Sequence, residues 1–124
     1  MEQLFIASTG KLKDRWLAAF SAARIKQTLP SLSASDLQSI HSIWVDITGQ
    51  APDEWLPLLI RAVATGKAVA VLSPVPSEEQ AIMALGAGAR AYCHSETAPI
   101  KLKEVGDVLG RGGVWLPPNI MKRL

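Results

Sequence analysis

The chain has 124 residues, of which 48% are hydrophobic and 19% charged, with a formal net charge of +2. This length holds one domain with a core of its own and excludes a second of ordinary size. The basic residues are scattered, at Lys11, Lys13, Arg15, Arg61, Lys101, Lys103, Lys122 and Arg123, which argues against direct nucleic-acid binding by this domain.

In chain order, the apolar run at residues 4–7 reads as a first strand and leads into Ser8 and Thr9. A helix is predicted over residues 12–24, where Leu12, Trp16, Phe20 and Ala23 recur at spacings of three and four while Asp14 and Ser21 face solvent. The weaker run at residues 25–29 supplies a second strand. Beyond Pro30, residues 31–35 are small and mostly polar, a loop into a short helix capped by Ser33 or Ser35 with Leu37 and Ile40 as its buried face. Residues 43–45 form a third strand that ends at Asp46. A third helix starts at Asp53 or its neighbour and runs through Ala64, and Pro57, tolerable only in a first turn, predicts a late start.

Residues 68–72 form a fourth strand, followed by Ser73. Ser77 with Glu78, Glu79 and Gln80 has the arrangement of a capping box for a fourth helix, ended by Gly86 and Gly88. Residues 91–93 give a fifth strand, with Ser95 just beyond. A fifth helix spans residues 99–109 and is stopped by Gly110, Gly112 and Gly113. Residues 114–118 are then extended until Asn119 begins a last turn or helix.

Strands alternating with helices demand a parallel sheet, because each parallel connection needs a crossover, and right-handed crossovers place helices on both faces. In such a sheet the carboxyl ends of the strands face the functional crevice, so Ser8, Thr9, Asp46, Ser73 and Ser95 are expected to converge. Asp46 is the single charge in that set. Cys93, the only cysteine, sits in an apolar run as a core thiol, which suits a reducing cytoplasm. No segment approaches the ~18 uninterrupted apolar residues of a membrane span, and Met1 and Glu2 open no signal sequence, so a cytoplasmic protein without membrane association is expected.

Residues 70–118 carry a family likeness through Val71-Leu72-Ser73, Gly88-Ala89-Arg90-Ala91-Tyr92 and Gly112-Gly113-Val114-Trp115-Leu116-Pro117-Pro118. This stretch resembles the second half of receiver domains of bacterial response regulators, and its closing motif is similar to the NarL/LuxR-type branch. The likeness implies the flavodoxin-like (CheY-like) fold, a doubly wound five-stranded sheet of order 2-1-3-4-5. It implies a receiver-like domain over residues 1–118, with residues 119–124 starting a C-terminal helix or linker toward a helix-turn-helix DNA-binding domain.

Position by position, the family's phosphoacceptor aspartate corresponds to Asp46, its hydroxyl residue after the fourth strand to Ser73, and its switch aromatic to Tyr92. The two acidic residues that hold a divalent cation correspond to Ser8 and Thr9, and the lysine that neutralises the phosphoryl group corresponds to Ser95. Phosphoryl transfer to a carboxylate depends on positioning and charge neutralisation, and magnesium wants carboxylate oxygens, so these hydroxyls are poor replacements. The site therefore reads as degenerate: phosphorylation of Asp46 is expected to be very slow or absent, and no cofactor is expected.

The resulting expectation is a non-enzymatic, phosphorylation-independent regulatory module acting through dimerisation or interdomain contacts. The dimer face is expected on the fourth helix, fifth strand and fifth helix, with Ala81, Met83, Ala84 and Ala87 inside a rim of Lys101, Lys103, Glu104 and Asp107. The alternative is a conventional receiver, phosphorylated on Asp46 with magnesium by a histidine kinase or a small phosphodonor. Cyclic di-GMP sensing, which some members of the branch achieve through a tryptophan-led motif, is disfavoured because Pro117 and Pro118 follow Trp115-Leu116. Adjacent Cys93 and His94 point to opposite strand faces and do not form a metal pair. Gly110, Gly112 and Gly113 follow a helix and act as a stop signal rather than a phosphate cradle. The four tryptophans are assigned mainly to the core, with Trp115 a partner anchor if exposed.

Overall fold

The structure is a computed structural model that describes residues 1–123. Its elements run β1(Glu2–Ala7), α1(Asp14–Ala19), β2(Ala23–Lys26), α2(Ala34–Ser39), β3(Ile40–Asp46), α3(Pro52–Ala64), β4(Ala68–Ser73), α4(Glu78–Gly86), β5(Ala91–His94), α5(Pro99–Gly110) and α6(Pro118–Met121). The strands form one parallel sheet of order β2-β1-β3-β4-β5, the flavodoxin-like order.

Both faces of the sheet are covered, which is why its central strands are continuous apolar runs. Period-two alternation divides their side chains. Leu4, Ile6, Ile43, Val45, Val69 and Val71 pack against α3 and α4, where Trp55, Leu59, Ala62, Ala81 and Ala84 are buried. Phe5, Ala7, Trp44, Ala70 and Leu72 point the other way, onto Trp16 of α1 and Leu102, Val105 and Leu109 of α5. On this second side Phe5 lies between two indoles. Its ring is 4.4 Å from that of Trp16 and 5.4 Å from that of Trp44, both nearly parallel, with Phe20 tilted against the stack. The Trp44 Nε1–H donates to Gln3 Oε1 at 2.8 Å, so that indole is buried without losing its polar contact.

Several expected boundaries move. The first helix covers Asp14–Ala19 only, because Phe20 is already extended (φ −136°, ψ 109°) and Ala23 pairs with Gln3. Trp16, Phe20 and Ala23 all turn inward, but from a helix, its extended C-cap and a strand, and together they imitate one long amphipathic helix. The second strand correspondingly lies at Ala23–Lys26 rather than at residues 25–29. Ile40 belongs to β3, and α2 buries none of its side chains, with Leu37 only half-buried. Pro57 does not delay α3. It is the sixth residue of a helix that starts at Pro52, and its exposed position leaves the Asp53 carbonyl beside solvent instead of in the core.

The N-terminus of α4 uses a different partner from the one its sequence suggests. Ser77 Oγ accepts from the Gln80 N–H at 3.1 Å, as expected of a cap. The Gln80 side chain, however, accepts from the Tyr92 hydroxyl at 2.5 Å, and that hydroxyl accepts from the Ser77 N–H at 2.9 Å. After α5 the chain returns along the free edge of β5. The Trp115 N–H donates to the Arg90 carbonyl at 2.9 Å and the Tyr92 N–H to the Trp115 carbonyl at 3.1 Å. Ile120 of α6 is then buried in the cluster that contains Tyr92 and Leu116. Among the described residues, no helix is long and apolar enough to cross a membrane.

Phe5→Ala removes the central ring of the aromatic stack and leaves two indoles without a partner, which is expected to cost about 3–5 kcal/mol. Urea denaturation followed by far-UV circular dichroism measures it, and a loss below about 1 kcal/mol would show that the stack repacks.

Candidate functional site

Asp46 is the last residue of β3, two positions after Trp44, so both side chains emerge on the α1/α5 side of the sheet. Its carboxylate is buried, at 3% relative exposure; Oδ1 is hydrogen-bonded within the chain and Oδ2 faces a cation. Oδ1 accepts from the Thr48 hydroxyl at 2.6 Å and from the Thr48 N–H at 3.1 Å. Oδ2 faces the Lys13 ammonium at 3.8 Å. Lys13 immediately precedes α1 and lies 5.3 Å from the Trp16 ring centroid, so the indole that closes the aromatic stack also cradles the cation.

The sequence-predicted residues converge only in part. Ser73 and Ser95 are buried at the ends of β4 and β5, and the Ser95 N–H donates to the Ser73 carbonyl at 2.7 Å. Ser73 Oγ accepts from the Val75 N–H at 3.2 Å, a bond within its own loop. Ser8 and Thr9 are exposed. Ser8 donates to the Thr48 carbonyl at 3.4 Å, and Thr9 accepts from the Lys11 N–H at 3.2 Å. None of these four hydroxyls is hydrogen-bonded to Asp46. Thr48 and Lys13 take that role, and neither stands out from the sequence, although Thr48 has the spacing at which a side chain and backbone turn back onto an aspartate.

Tyr92 is fully buried and faces the α3/α4 side together with Val71. Its hydroxyl is committed to the first turn of α4 rather than to the carboxylate. Cys93 is buried on the opposite side, and burial pushes its thiol up to about 12, so it stays protonated and unreactive at neutral pH. His94 is exposed, and its Nδ1 accepts from the Glu96 N–H at 2.9 Å. Among the described residues, no three His, Cys, Asp or Glu side chains group closely enough to share a metal ion.

The donor set around Asp46 fits magnesium poorly. It offers one carboxylate with one oxygen saturated by Thr48 and the other beside an ammonium, whereas magnesium requires near-octahedral oxygen ligation.

The expected dimer face also changes. Ala81 and Ala84 are buried against the sheet and unavailable to a partner, because they share the inward side of α4. Met83 is exposed and Ala87 half-buried, while Ile82 is 53% exposed. Lys101 and Glu104, expected in the rim, pair with each other at 2.9 Å along α5. Trp115 is half-buried at the covered β5 edge.

No protein-family model and no curated protein matches the sequence. Solved structures do match in fold. A LuxR family DNA-binding response regulator from Silicibacter pomeroyi is 20% identical, with a TM-score of 0.58 over 96% of this chain and 99% of that one. A response regulator from Thermotoga maritima is 18% identical, with a TM-score of 0.63 over 89% and 97%. A CheY-like receiver domain protein from Methanospirillum hungatei JF-1 is 20% identical, with a TM-score of 0.59 over 90% and 98%. At these identities the likeness is one of fold: the chain has the architecture of CheY-like receiver domains.

Lys13→Met leaves the buried carboxylate with Thr48 alone. Because Lys13 is 32% exposed and its contact is long, the expected loss at pH 7 is about 1 kcal/mol. In an Asp46→Asn background the same change is expected to cost less than half as much. A double-mutant cycle by urea denaturation measures the difference, and strictly additive losses would contradict the pairing.

Proposed function

We propose that this chain is a cytoplasmic, non-enzymatic, receiver-like regulatory module in which Asp46 remains an unmodified carboxylate and output is independent of phosphorylation. The observation that carries this reading is that Thr48 holds Asp46 Oδ1 with two hydrogen bonds while the Lys13 ammonium stands 3.8 Å from Oδ2. A carboxylate that attacks phosphorus must present a free oxygen to the donor, and the growing charge on the phosphoryl oxygens must be neutralised. Ser8, Thr9 and Ser95 contribute neither a metal site nor a cation to that task. The crevice thus has the position of a receiver pocket and the chemistry of a closed, self-neutralised one.

Output then passes through surfaces. A homodimer through α4, β5 and α5 remains the proposed assembly, with Ile82 and Met83 in place of Ala81 and Ala84 and with Lys103 and Asp107 at its rim. The Silicibacter pomeroyi protein is described as a DNA-binding response regulator, which supports an attached DNA-binding domain as the element this module controls.

One observation favours a second reading, the conventional receiver. Lys13 puts an ammonium beside the candidate acceptor, and a cation there is what an incoming phosphoryl group from a histidine kinase or small phosphodonor requires. Intact-mass spectrometry after incubation with magnesium and acetyl phosphate separates the two, with Asp46→Asn as control. The closed-pocket reading predicts no phosphate adduct on folded protein. A stoichiometric adduct that Asp46→Asn abolishes would establish the conventional reading instead.

A further inference from the structure

The side of the sheet that carries α2, α3 and α4 is apolar beneath α3 and α4 and changes character at its β2 edge. Ala23 and Ile25 of β2 join the core on the α1/α5 side, so the alternating residues Arg24 and Lys26 project toward α2. Arg24 pairs in register with Leu4, and Lys26 with Ile6. Two cations therefore stand where a crossover helix ordinarily finds an apolar stripe to cover. The consequence is visible in α2, which buries no side chain and bounds a cavity of about 170 Å³ with the residues that lead into it.

The lining divides by chemistry. Leu4 and Ile40, both buried, form an apolar floor with Leu32 and Pro30. Four charges stand at the mouth: Glu2 and Arg24 pair with each other, while Asp36 and Lys26 have no ion pair among the described residues. Arg24 is paired with Glu2 at 2.8 Å, and that contact raises its affinity for its proton. Asp36 accepts from the Ser33 N–H at 2.9 Å in the α2 capping box, and this bond holds its carboxyl below the usual range. Lys26 lines the cavity and has no ion pair among the described residues.

An apolar floor roomy enough for a small ring, a Glu2–Arg24 pair, an Asp36 carboxylate turned into the α2 cap and a Lys26 ammonium without an ion pair suit a compact molecule with one negative charge. Cavities of about 150 Å³ admit benzene. We propose that the cavity beneath α2 binds a small monocarboxylate with an apolar body, which rests on Leu4, Leu32 and Ile40 while its carboxylate meets Lys26. Such a ligand ties α2 to the sheet. It supplies an input to the domain that is remote from Asp46 and does not depend on whether Asp46 is phosphorylated.

Titration of the chain with benzoate, followed by ¹H–¹⁵N correlation spectra, tests the proposal. The expected result is saturable shifts of the Leu4, Lys26, Leu32 and Ile40 amides with a Kd on the order of 1 mM. Lys26→Ala, a change at an exposed side chain, is expected to weaken binding roughly tenfold, as is neutral benzamide in place of benzoate. Leu32→Trp, which fills the cavity from a half-buried position, is expected to abolish the shifts while the rest of the spectrum reports an intact fold. Absence of saturable shifts, shifts centred elsewhere, or equal binding by Lys26→Ala would overturn the proposal. Tighter binding of zwitterionic phenylalanine than of benzoate would overturn the monocarboxylate assignment, since it would bring Glu2 or Asp36 into the recognition.

Discussion

A carboxylate at 3% exposure, placed at the end of a central strand, has to be neutralised from inside the fold, because burial strips it of water that nothing else replaces. Here that condition is met by one ammonium and one threonine. Thr48 closes back on Oδ1 from the β3–α3 loop, and Lys13 faces Oδ2 from the segment before α1. Two of the loops that frame the crevice, those after β1 and β3, are thereby joined through a single side chain, and Ser8 adds a bond to the Thr48 carbonyl. The hydroxyls at Ser8, Thr9 and Ser95 become intelligible on this basis. With the charge already balanced, neither an acidic pair nor a second lysine has anything left to offset.

The position of Lys13 is in turn a product of the core. Trp16 fixes α1 by stacking on Phe5, Phe5 lies on Trp44, and Trp44 is anchored through its indole N–H to Gln3. Because Trp44 and Asp46 share a face of β3, the same stack that packs the α1/α5 side sets the start of α1 over the carboxylate. Tyr92 belongs to the other side. Its hydroxyl bonds to Ser77 and Gln80 tie β5 to the start of α4, and no hydrogen bond among the described residues runs from Asp46 to Ser73 or Tyr92. The crevice and the α4 face are two separately satisfied networks on opposite sides of one sheet. A carboxylate held by Thr48 and Lys13 and an aromatic whose partners lie in α4 are what the proposed phosphorylation-independent module would need for a standing surface.

Much of this was legible in the residues. Four parallel strands appear as buried apolar runs because both faces of the sheet are covered, whereas β2, with Arg24 and Lys26 exposed, is displaced from the expected run, and the strand order follows from the family likeness of the second half. Asp46 is recognisable at the end of its run. What the sequence obscured was always a matter of which element turns a side chain inward. Trp16, Phe20 and Ala23 imitate one helix although only Trp16 is in it. Pro57 suggests a late helix start although its missing hydrogen bond falls on the solvent side. Lys13 looks like one of several scattered cations until the stack brings it to Asp46, and Gln80 looks like half of a capping box until Tyr92 claims it. Those are contacts between distant segments, and periodicity along a chain carries no record of them.

Beryllium fluoride with magnesium probes whether the Asp46 pocket is closed and self-neutralised, as we propose, because this reagent mimics a phosphoryl group on an available carboxylate without needing a kinase. A closed pocket leaves ¹H–¹⁵N correlation spectra with and without the reagent superimposed at Lys13, Asp46, Thr48 and Tyr92. Saturable shifts of those resonances that disappear in Asp46→Asn would contradict it and show a carboxylate free to be modified.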